Sequence, residues 1–270
     1  MQIQAQLNAN ELLVLERLKI ARHPKRPKGL DVLKAVTTTF EELHGDRLHG
    51  DDKAAICGTG EIGDQKCVFI AQQKGSNAKE RFKHRFGMME PDGYRKVLRL
   101  VKLAERFNLP VITIIDTPGA YPGLEAERRG QGRAIADNIF EFSGIKTPVV
   151  SLLLGEGCSG GAIGAGVCDR MLMLEHAYFS VISPEGCASI LWNDVSKKDI
   201  SAKQLKMQSE DLLRFGMIDT IISEGEGAFH NNIQLVLADI RLKIIEAIDE
   251  LSALPLNTLM QQRYKKYRSF

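Results

Sequence analysis

The chain has 270 residues, of which 44% are hydrophobic and 26% are charged, as is typical of globular proteins with a buried core. Its formal net charge of +2 argues against a protein that coats nucleic acid or an anionic membrane. No apolar run approaches the roughly 20 residues that cross a bilayer, and the first residues do not resemble a secretion signal. We therefore expect a cytoplasmic protein with no membrane partner and no nucleic-acid partner.

The cysteines bear on metal binding, and the glycines are unusually clustered. The cysteines contain no C-x-x-C pair and have no histidine at the spacing of a metal ligand, so we expect no metal site in this chain. Glycine is abundant, with 24 residues, and many of them cluster between Gly119 and Gly166. The five cysteines are Cys57, Cys67, Cys158, Cys168 and Cys187.

The N-terminal residues predict a helix and a connector. Residues 10–20 place Leu12, Leu15 and Leu18 on one face, with Asn10 as a capping residue. The basic, proline-broken residues 23–28 follow, and we expect them to form a solvated link. We therefore divide the chain into residues 1–28, an N-terminal helix with its connector, and residues 29–270, a single domain.

From residue 54 onward, short apolar strands alternate with amphipathic helices, which predicts an α/β layer fold. Residues 54–60 and 67–73 predict a hairpin around Gly63, and a helix begins near Pro91. We expect this helix to bury Tyr94, Val97, Leu98, Val101, Ala104 and Phe107. The other predicted strands are 111–115, 149–154, 171–174 and 178–182, and the other predicted helices are 131–143, 203–214 and 233–252.

The glycine-rich segment 155–166 fits three chemistries. Gly155, Gly157 and Gly160 form G-x-G-x-x-G after a strand, with Glu175 twenty residues beyond Gly155. Too few residues follow for the crossover helix of a dinucleotide-binding fold, so this interpretation is the weakest.

The same segment also reads G-x-S-x-G around Ser159, the turn that exposes the nucleophile of many hydrolases. Asp219 and His230 follow in the chain order of a hydrolase triad. A serine at this position also suits a helix N-terminus, where it would be a capping residue. A serine hydrolase therefore remains an alternative.

The third interpretation is an oxyanion hole. Gly160 and Gly161 begin a helix of small residues, where two backbone N–H groups without a Cβ can face an approaching oxygen. Such a site suits a reaction that forms an enolate or a ureido anion. Gly164 and Gly166 fit a packing role between helix and strand.

A second loop, Asp116–Gly123, follows the strand at 111–115 and contains two prolines and two glycines, which make it rigid. Arg128 and Arg129 come next, at the start of a predicted helix. Arginine opposes the helix dipole there unless it faces an anion, so we expect a carboxylate or phosphate partner.

These segments together resemble the α subunits of bacterial acetyl-CoA carboxylase carboxyltransferases. The similarity runs from about Ala21 to Ser269 and is collinear along the chain. Its motifs include Gln73-Lys-Gly75, Phe86-Gly-Met, Ile115-Asp-Thr-Pro-Gly-Ala-Tyr-Pro-Gly123, Arg129-Gly-Gln131, Gly155-Glu-Gly, Ser159-Gly-Gly-Ala162 and the segment Ser180–Trp192.

The resemblance implies a crotonase-like fold, a superhelix of ββα units. It also implies a zinc-bearing β subunit as partner, a biotin carboxyl carrier protein that brings carboxybiotin, and a biotin carboxylase in the full complex. The implied reaction moves the carboxyl group from carboxybiotin to acetyl-CoA and gives malonyl-CoA for fatty-acid synthesis. A non-catalytic scaffold that keeps the fold is a further alternative.

The resemblance also implies roles for individual residues. Gly160 and Gly161 would form the oxyanion hole, and either the acetyl-CoA enolate or the biotin ureido group could be the anion that they hold. Arg129 would face the transferred carboxylate. The substrate-binding residues carried over by the resemblance are Arg129, Gly130, Gln131, Gly119, Ala120, Tyr121 and Lys74.

Overall fold

A computed structural model describes residues 14–270. The part of the predicted first helix that lies within this range is confirmed as α1, residues 14–21, whereas Asn10 and Leu12 lie outside the described residues. The other helices are α2 (Gly29–Val36), α3 (Ala78–Lys83), α4 (Pro91–Phe107), α5 (Leu124–Arg128), α6 (Gln131–Gly144), α7 (Ser159–Ile163), α8 (Pro184–Trp192), α9 (Lys198–Gln204), α10 (Ser209–Arg214), α11 (Ile233–Ser252) and α12 (Leu256–Arg268).

One mixed eight-stranded sheet runs through the described residues. Its order is β1-β2-β3-β4-β5-β6-β8, and β7 pairs with β5. The first three strands are antiparallel, whereas β3 to β6 and β8 are parallel neighbours. The strands are β1 (Thr39–Glu42), β2 (Ala55–Ile62), β3 (Gln65–Gln72), β4 (Val111–Thr117), β5 (Val149–Cys158), β6 (Arg170–Leu174), β7 (Tyr178–Ser180) and β8 (Thr220–Ile222).

The core lies between the sheet and the helices that pack on it. All seven residues of β4 and all ten of β5 are buried, as expected for parallel strands covered on both faces. Helix α4 packs against β2, β3 and α6, while α2 and α11 contact each other and the central strands. The predicted hairpin and the helices at 131–143 and 233–252 are confirmed.

Two predictions about helices are wrong. Phe107 is 60% exposed, because it is the last residue of α4 and Asn108 turns the chain away with φ 53°; Leu98 is also only partly buried. The predicted helix 203–214 is two helices. The link between them pairs with β7, since Phe179 N–H donates to the Met207 carbonyl at 3.1 Å.

The connector is only partly solvated, since Pro24 and Lys25 are exposed whereas residues 26–28 are buried. Arg26 and Lys28 are only 2% and 5% exposed, and the Arg26 guanidinium forms two bonds to the buried carboxylate of Glu224, at 2.6 and 2.7 Å. Helix α1 packs its Leu18 against Cys158 and other residues of a small second core. The division at residue 28 therefore stays a prediction about domains, although residues 14–28 pack against the body of the protein.

Candidate active site

The carboxyl ends of β3, β4 and β5 lie side by side, since these strands are parallel neighbours. In open α/β sheets this edge is where ligands usually bind. The buried side chain of Gln72, at the end of β3, joins the three strand ends. Its Nε2 donates to the Gly161 carbonyl at 2.8 Å, and its Oε1 accepts from Asp116 N–H at 3.0 Å. Sequence reasoning missed Gln72; the available signal was an amide at the end of an apolar run.

Gly161 lies in direct contact with the loop after β4. A Cβ at Gly161 would lie 2.2 Å from the carbonyl carbon of Gly119 and 2.6 Å from the nitrogen of Ala120. A Cβ at Gly160 would instead meet only Ile135, at 3.5 Å. The backbone of Gly119 has φ +154°, a value that favours glycine. The structure therefore brings Gly161, Gly119 and Ala120 together and leaves no room for a side chain at Gly161.

The N–H groups at this contact have no acceptor among the described residues. Gly160 and Gly161 lie in the first turn of α7, where N–H groups have no acceptor within the helix. Among residues 14–270, no hydrogen bond is made by the N–H of Ala120. The Thr117 hydroxyl donates to the Gly119 carbonyl at 2.7 Å and so fixes the loop. Backbone donors held in this way can stabilise an oxyanion.

The small residues behind α7 serve packing. A Cβ at Gly164 would lie 2.7 Å from the Tyr94 ring, and one at Gly166 would lie 2.8 Å from the Ala162 carbonyl oxygen. The amide of Asn138 on α6 donates to the Gly164 carbonyl at 2.8 Å. These contacts support the packing role that the sequence suggests for Gly164 and Gly166.

Gln131 holds the second loop in place. Its Nε2 donates to the carbonyl of Met89 at 2.8 Å and to that of Tyr121 at 3.1 Å. Tyr121 N–H also donates to the Met89 carbonyl. Gly130, with φ +85°, makes the turn between α5 and α6. Gln131, Gly130 and Tyr121 therefore support the loop that contains Gly119 and Ala120, and contact of any of them with a substrate stays a prediction.

Arg129 is engaged within the protein. Its Nη1 lies 2.7 and 2.8 Å from the two carboxylate oxygens of Asp92, and its Nη2 lies 3.1 Å from Glu90. The expected anionic partner thus exists, but in this structure it is supplied by the chain itself. Binding of the transferred carboxylate by Arg129 stays a prediction.

Lys74 belongs to a largely buried ionic network, which sequence reasoning did not find around Glu156. The Lys74 ammonium lies 2.8 Å from Asp116 and also contacts Glu156. Arg22 pairs with the same Glu156 at 2.6 Å, and Tyr178 donates its hydroxyl to it. Burial alone would lower the pKa of Lys74, but the two carboxylates outweigh it and raise that pKa. Lys74 is therefore a charged cation close to Pro118 and the proposed oxyanion hole.

Because of the environment of the Glu156 carboxyl group, we expect the stability of the protein to fall in acid. Burial would raise its pKa, but Lys74 and Arg22 outweigh burial and lower the pKa to about 2. A lowered pKa contributes stability that is present above the unfolded value and is lost as the pH falls from about 4.5 to about 2. We expect the stability difference between the unchanged chain and Glu156→Gln, measured by urea unfolding, to be about 3 kcal/mol larger at pH 7 than at pH 2. An equal stability difference at both pH values would contradict a lowered pKa for Glu156.

The hydrolase triad is not assembled. Ser159 is exposed and has φ 57°, and no hydrogen bond joins it to Asp219 or His230. Asp219 instead accepts from Met171 N–H at 2.6 Å and pairs with Lys266, while the His230 ring stacks on His23, 3.9 Å between centroids.

The dinucleotide interpretation also fails in its geometry. Residues 155–158 continue β5 rather than forming a phosphate-binding loop, and α7 is only five residues long. Within residues 14–270, no three His, Cys, Asp or Glu side chains are grouped as metal ligands. No helix of that same range is long and apolar enough to cross a membrane.

Solved structures place this architecture in a known class. The chain superposes on transcarboxylase 12S with a TM-score of 0.66, at 18% identity, over 82% of this chain and 40% of the other. It superposes on a subunit of a Pseudomonas malonate decarboxylase hetero-tetramer with a TM-score of 0.68, at 16% identity, over 87% and 91% of the two chains. These superpositions show a crotonase-like fold, as the sequence resemblance implies.

Sequence comparison is more specific. The family described as "Acetyl co-enzyme A carboxylase carboxyltransferase-like" matches residues 2–270. The carboxyl transferase α subunit of acetyl-coenzyme A carboxylase from Fusobacterium nucleatum is 49% identical over 259 residues, 96% of this chain and 83% of that protein. The corresponding subunit from Chlamydia pneumoniae is 50% identical over 260 residues, 96% and 80% of the two chains. The chain therefore belongs to the acetyl-CoA carboxylase carboxyltransferase family and is a transferase subunit.

Proposed function

We propose that the chain transfers the carboxyl group of carboxybiotin to acetyl-CoA, and that it does so together with a β subunit. The contact of Gly161 with Gly119 and Ala120 carries this proposal, because it brings the first turn of α7 against the loop that contains the Ala120 N–H, which is unbonded within residues 14–270. Carboxybiotin supplies the carboxyl group, and its ring and carboxylate oxygens, like the acetyl thioester oxygen, are acceptors that such donors fit. The Ala120 and Gly161 N–H groups would bind the oxygen that gains negative charge.

The family also points to partners. The relatives are named as α subunits, which indicates a β subunit, and we place the zinc on that subunit. We include the biotin carboxyl carrier protein and biotin carboxylase in the complete assembly. A cytoplasmic location belongs to the same proposal.

A reconstituted complex provides the test. The purified chain is mixed with a carboxyltransferase β subunit, the complex is verified by gel filtration, and malonyl-CoA-dependent carboxylation of free biotin is measured. We expect turnover by the complex and none by either subunit alone. A verified complex without turnover would contradict the proposal and would favour the scaffold alternative.

Replacing Ser159 with alanine separates transfer from hydrolysis. The Ser159 side chain contacts no catalytic partner, whereas its backbone is unchanged by the substitution. We expect the complex of Ser159→Ala to keep most of its carboxyl-transfer rate, since backbone N–H groups and not the hydroxyl supply the stabilisation. A serine hydrolase would instead lose a factor of about 10⁴ or more in kcat. Steady-state rates of the unchanged complex and of the Ser159→Ala complex distinguish these outcomes.

A further inference from the structure

A pocket of about 300 Å³ opens beside Pro118, at the carboxyl ends of β3 and β5. Four cationic side chains line it, those of Arg22, Lys28, Lys74 and Arg81, and the carboxylate among its lining residues is that of Glu156. We refer to it as the cationic pocket. Such an excess of positive charge around a concave site favours a negatively charged ligand.

Two of the four cations are already neutralised. Lys74 pairs with Asp116 and Glu156, and Arg22 pairs with Glu156 and Glu185. Three carboxylates thus surround these two cations and more than balance their charges within the protein. Lys74 and Arg22 would affect ligand binding through the shape of the pocket more than through its net charge.

Lys28 and Arg81 are not neutralised. The Lys28 ammonium donates to the His23 carbonyl at 3.3 Å and has no carboxylate partner within residues 14–270. The structure gives Arg81 neither an ion pair nor a side-chain hydrogen bond to any residue of the same range. Burial lowers the pKa of Lys28; Asp116 opposes that shift, and Lys74 and Arg81 add to it. The four cations exceed the carboxylates of Asp116, Glu156 and Glu185 by one charge, and Lys28 and Arg81 are the two that form no ion pair in the described part of the chain. An anion between these two side chains would relieve their mutual repulsion.

We propose that the cationic pocket binds an oxyanion group of a ligand, a carboxylate or a phosphate, through Lys28 and Arg81. The position supports this, because Pro118 lines the pocket and directly precedes Gly119 of the proposed oxyanion hole. Arg129, by contrast, already has Asp92 and Glu90 as partners. The proposal rests on the proposed function only for the source of the anion, which is either a carboxylate of a carboxylated substrate or a phosphate of coenzyme A.

Arg81 is suited to substitution. It lies on α3, a six-residue helix with no buried residue, so Arg81→Ala should leave folding intact. Lys28→Met removes the second charge and keeps the length of the buried stem. Arg106→Ala is the matched control, since Arg106 is exposed at the end of α4 and has no carboxylate partner among the described residues. Thermal unfolding verifies that all three variants are folded.

Binding is measured by calorimetry on the full chain, with coenzyme A, dephospho-coenzyme A, malonate and inorganic phosphate as probes. We expect Arg81→Ala and Lys28→Met each to weaken the anion that the pocket recognises by about tenfold or more, as for loss of a charged hydrogen bond. Arg106→Ala should bind as the unchanged chain does.

The pattern across probes identifies the anion. A loss seen with coenzyme A but not with dephospho-coenzyme A indicates its 3′-phosphate, whereas a loss seen with malonate indicates a carboxylate. A chain that binds none of the four probes, or pocket variants that bind all of them as well as Arg106→Ala does, would overturn the proposal. These readouts need no turnover, so a complex that fails to transfer carboxyl groups would contradict the proposed function and leave the pocket assignment standing.

Discussion

Replacing Gly161 with alanine is expected to lower the carboxyl-transfer rate of the complex by about two orders of magnitude or more. The new Cβ would lie 2.2 Å from the Gly119 carbonyl carbon and 2.5 Å from its oxygen, so either the loop of Gly119 or helix α7 must move. Both obstacles are backbone atoms, which cannot rotate away as a side chain can. Movement would separate the Ala120 and Gly161 N–H groups, and loss of a single oxyanion donor typically costs about 10²–10³ in kcat.

Two further variants make this experiment specific. Gly160→Ala keeps the same N–H group, and its Cβ would meet only Ile135 at 3.5 Å, an ordinary contact, so we expect a much smaller effect. Gly144→Ala is the control for a glycine-to-alanine change, because a Cβ there meets nothing within 4 Å. Single-turnover rates and thermal unfolding are measured for all three complexes. A Gly161→Ala complex that is as active as the Gly144→Ala complex would exclude an oxyanion role for this contact.

Elements with strong periodicity were predictable from the sequence. The hairpin of β2 and β3, the amphipathic helix α4 and the long helix α11 follow from local patterns of apolar residues. The prediction of a single helix over 203–214 was wrong because Met207 and Gln208 pair with β7 across the fold. Such pairing is a tertiary contact that overrides local preference.

The same limit applies to the candidate site. Gly161 and Gly119 were identifiable as unusual glycines, but their contact depends on two parallel strands that are far apart in the chain. The roles of Gln72 and Glu156 were hidden because a single polar residue in an apolar run does not show which partner will satisfy it. The ion pair of Arg129 with Asp92 likewise joins segments that the sequence does not connect.

If both proposals hold, the Gly161–Ala120 contact and the cationic pocket beside Pro118 would have two different tasks. Backbone N–H groups are dipoles that act over short distances, and a ligand must be brought to them in one orientation. Side-chain cations beside Pro118 would hold a charged end of the ligand, and the N–H groups of Ala120 and Gly161 would bind its reacting oxygen. Such a division would allow a chain with a net charge of only +2 to bind an anion locally.

Replacing Arg26 with methionine is expected to destabilise the protein by about 3–5 kcal/mol, because it leaves the Glu224 carboxylate buried without its cation. The two side chains are 1% and 0% exposed, and Arg26 also donates to the Leu154 carbonyl from two nitrogens, at 3.0 and 2.7 Å. The free energy of unfolding in urea is the measurement. Arg133→Met is the control, since Arg133 is exposed and its pair with Asp137 is solvated, so no measurable change is expected.

A double variant tests whether the cost comes from the unpaired charge. Glu224 also accepts hydrogen bonds from Phe229 N–H at 2.9 Å and His176 N–H at 3.0 Å. These donors bond to different carboxylate oxygens, so glutamine at this position keeps an oxygen for only one of them, but it removes the charge. Arg26→Met with Glu224→Gln should therefore recover part of the loss. If the double variant is no more stable than Arg26→Met alone, the lost bonds to Leu154 rather than the buried charge dominate. Arg26, which anchors the N-terminal connector, would then act mainly through the hydrogen bonds from its side chain to the backbone of β5.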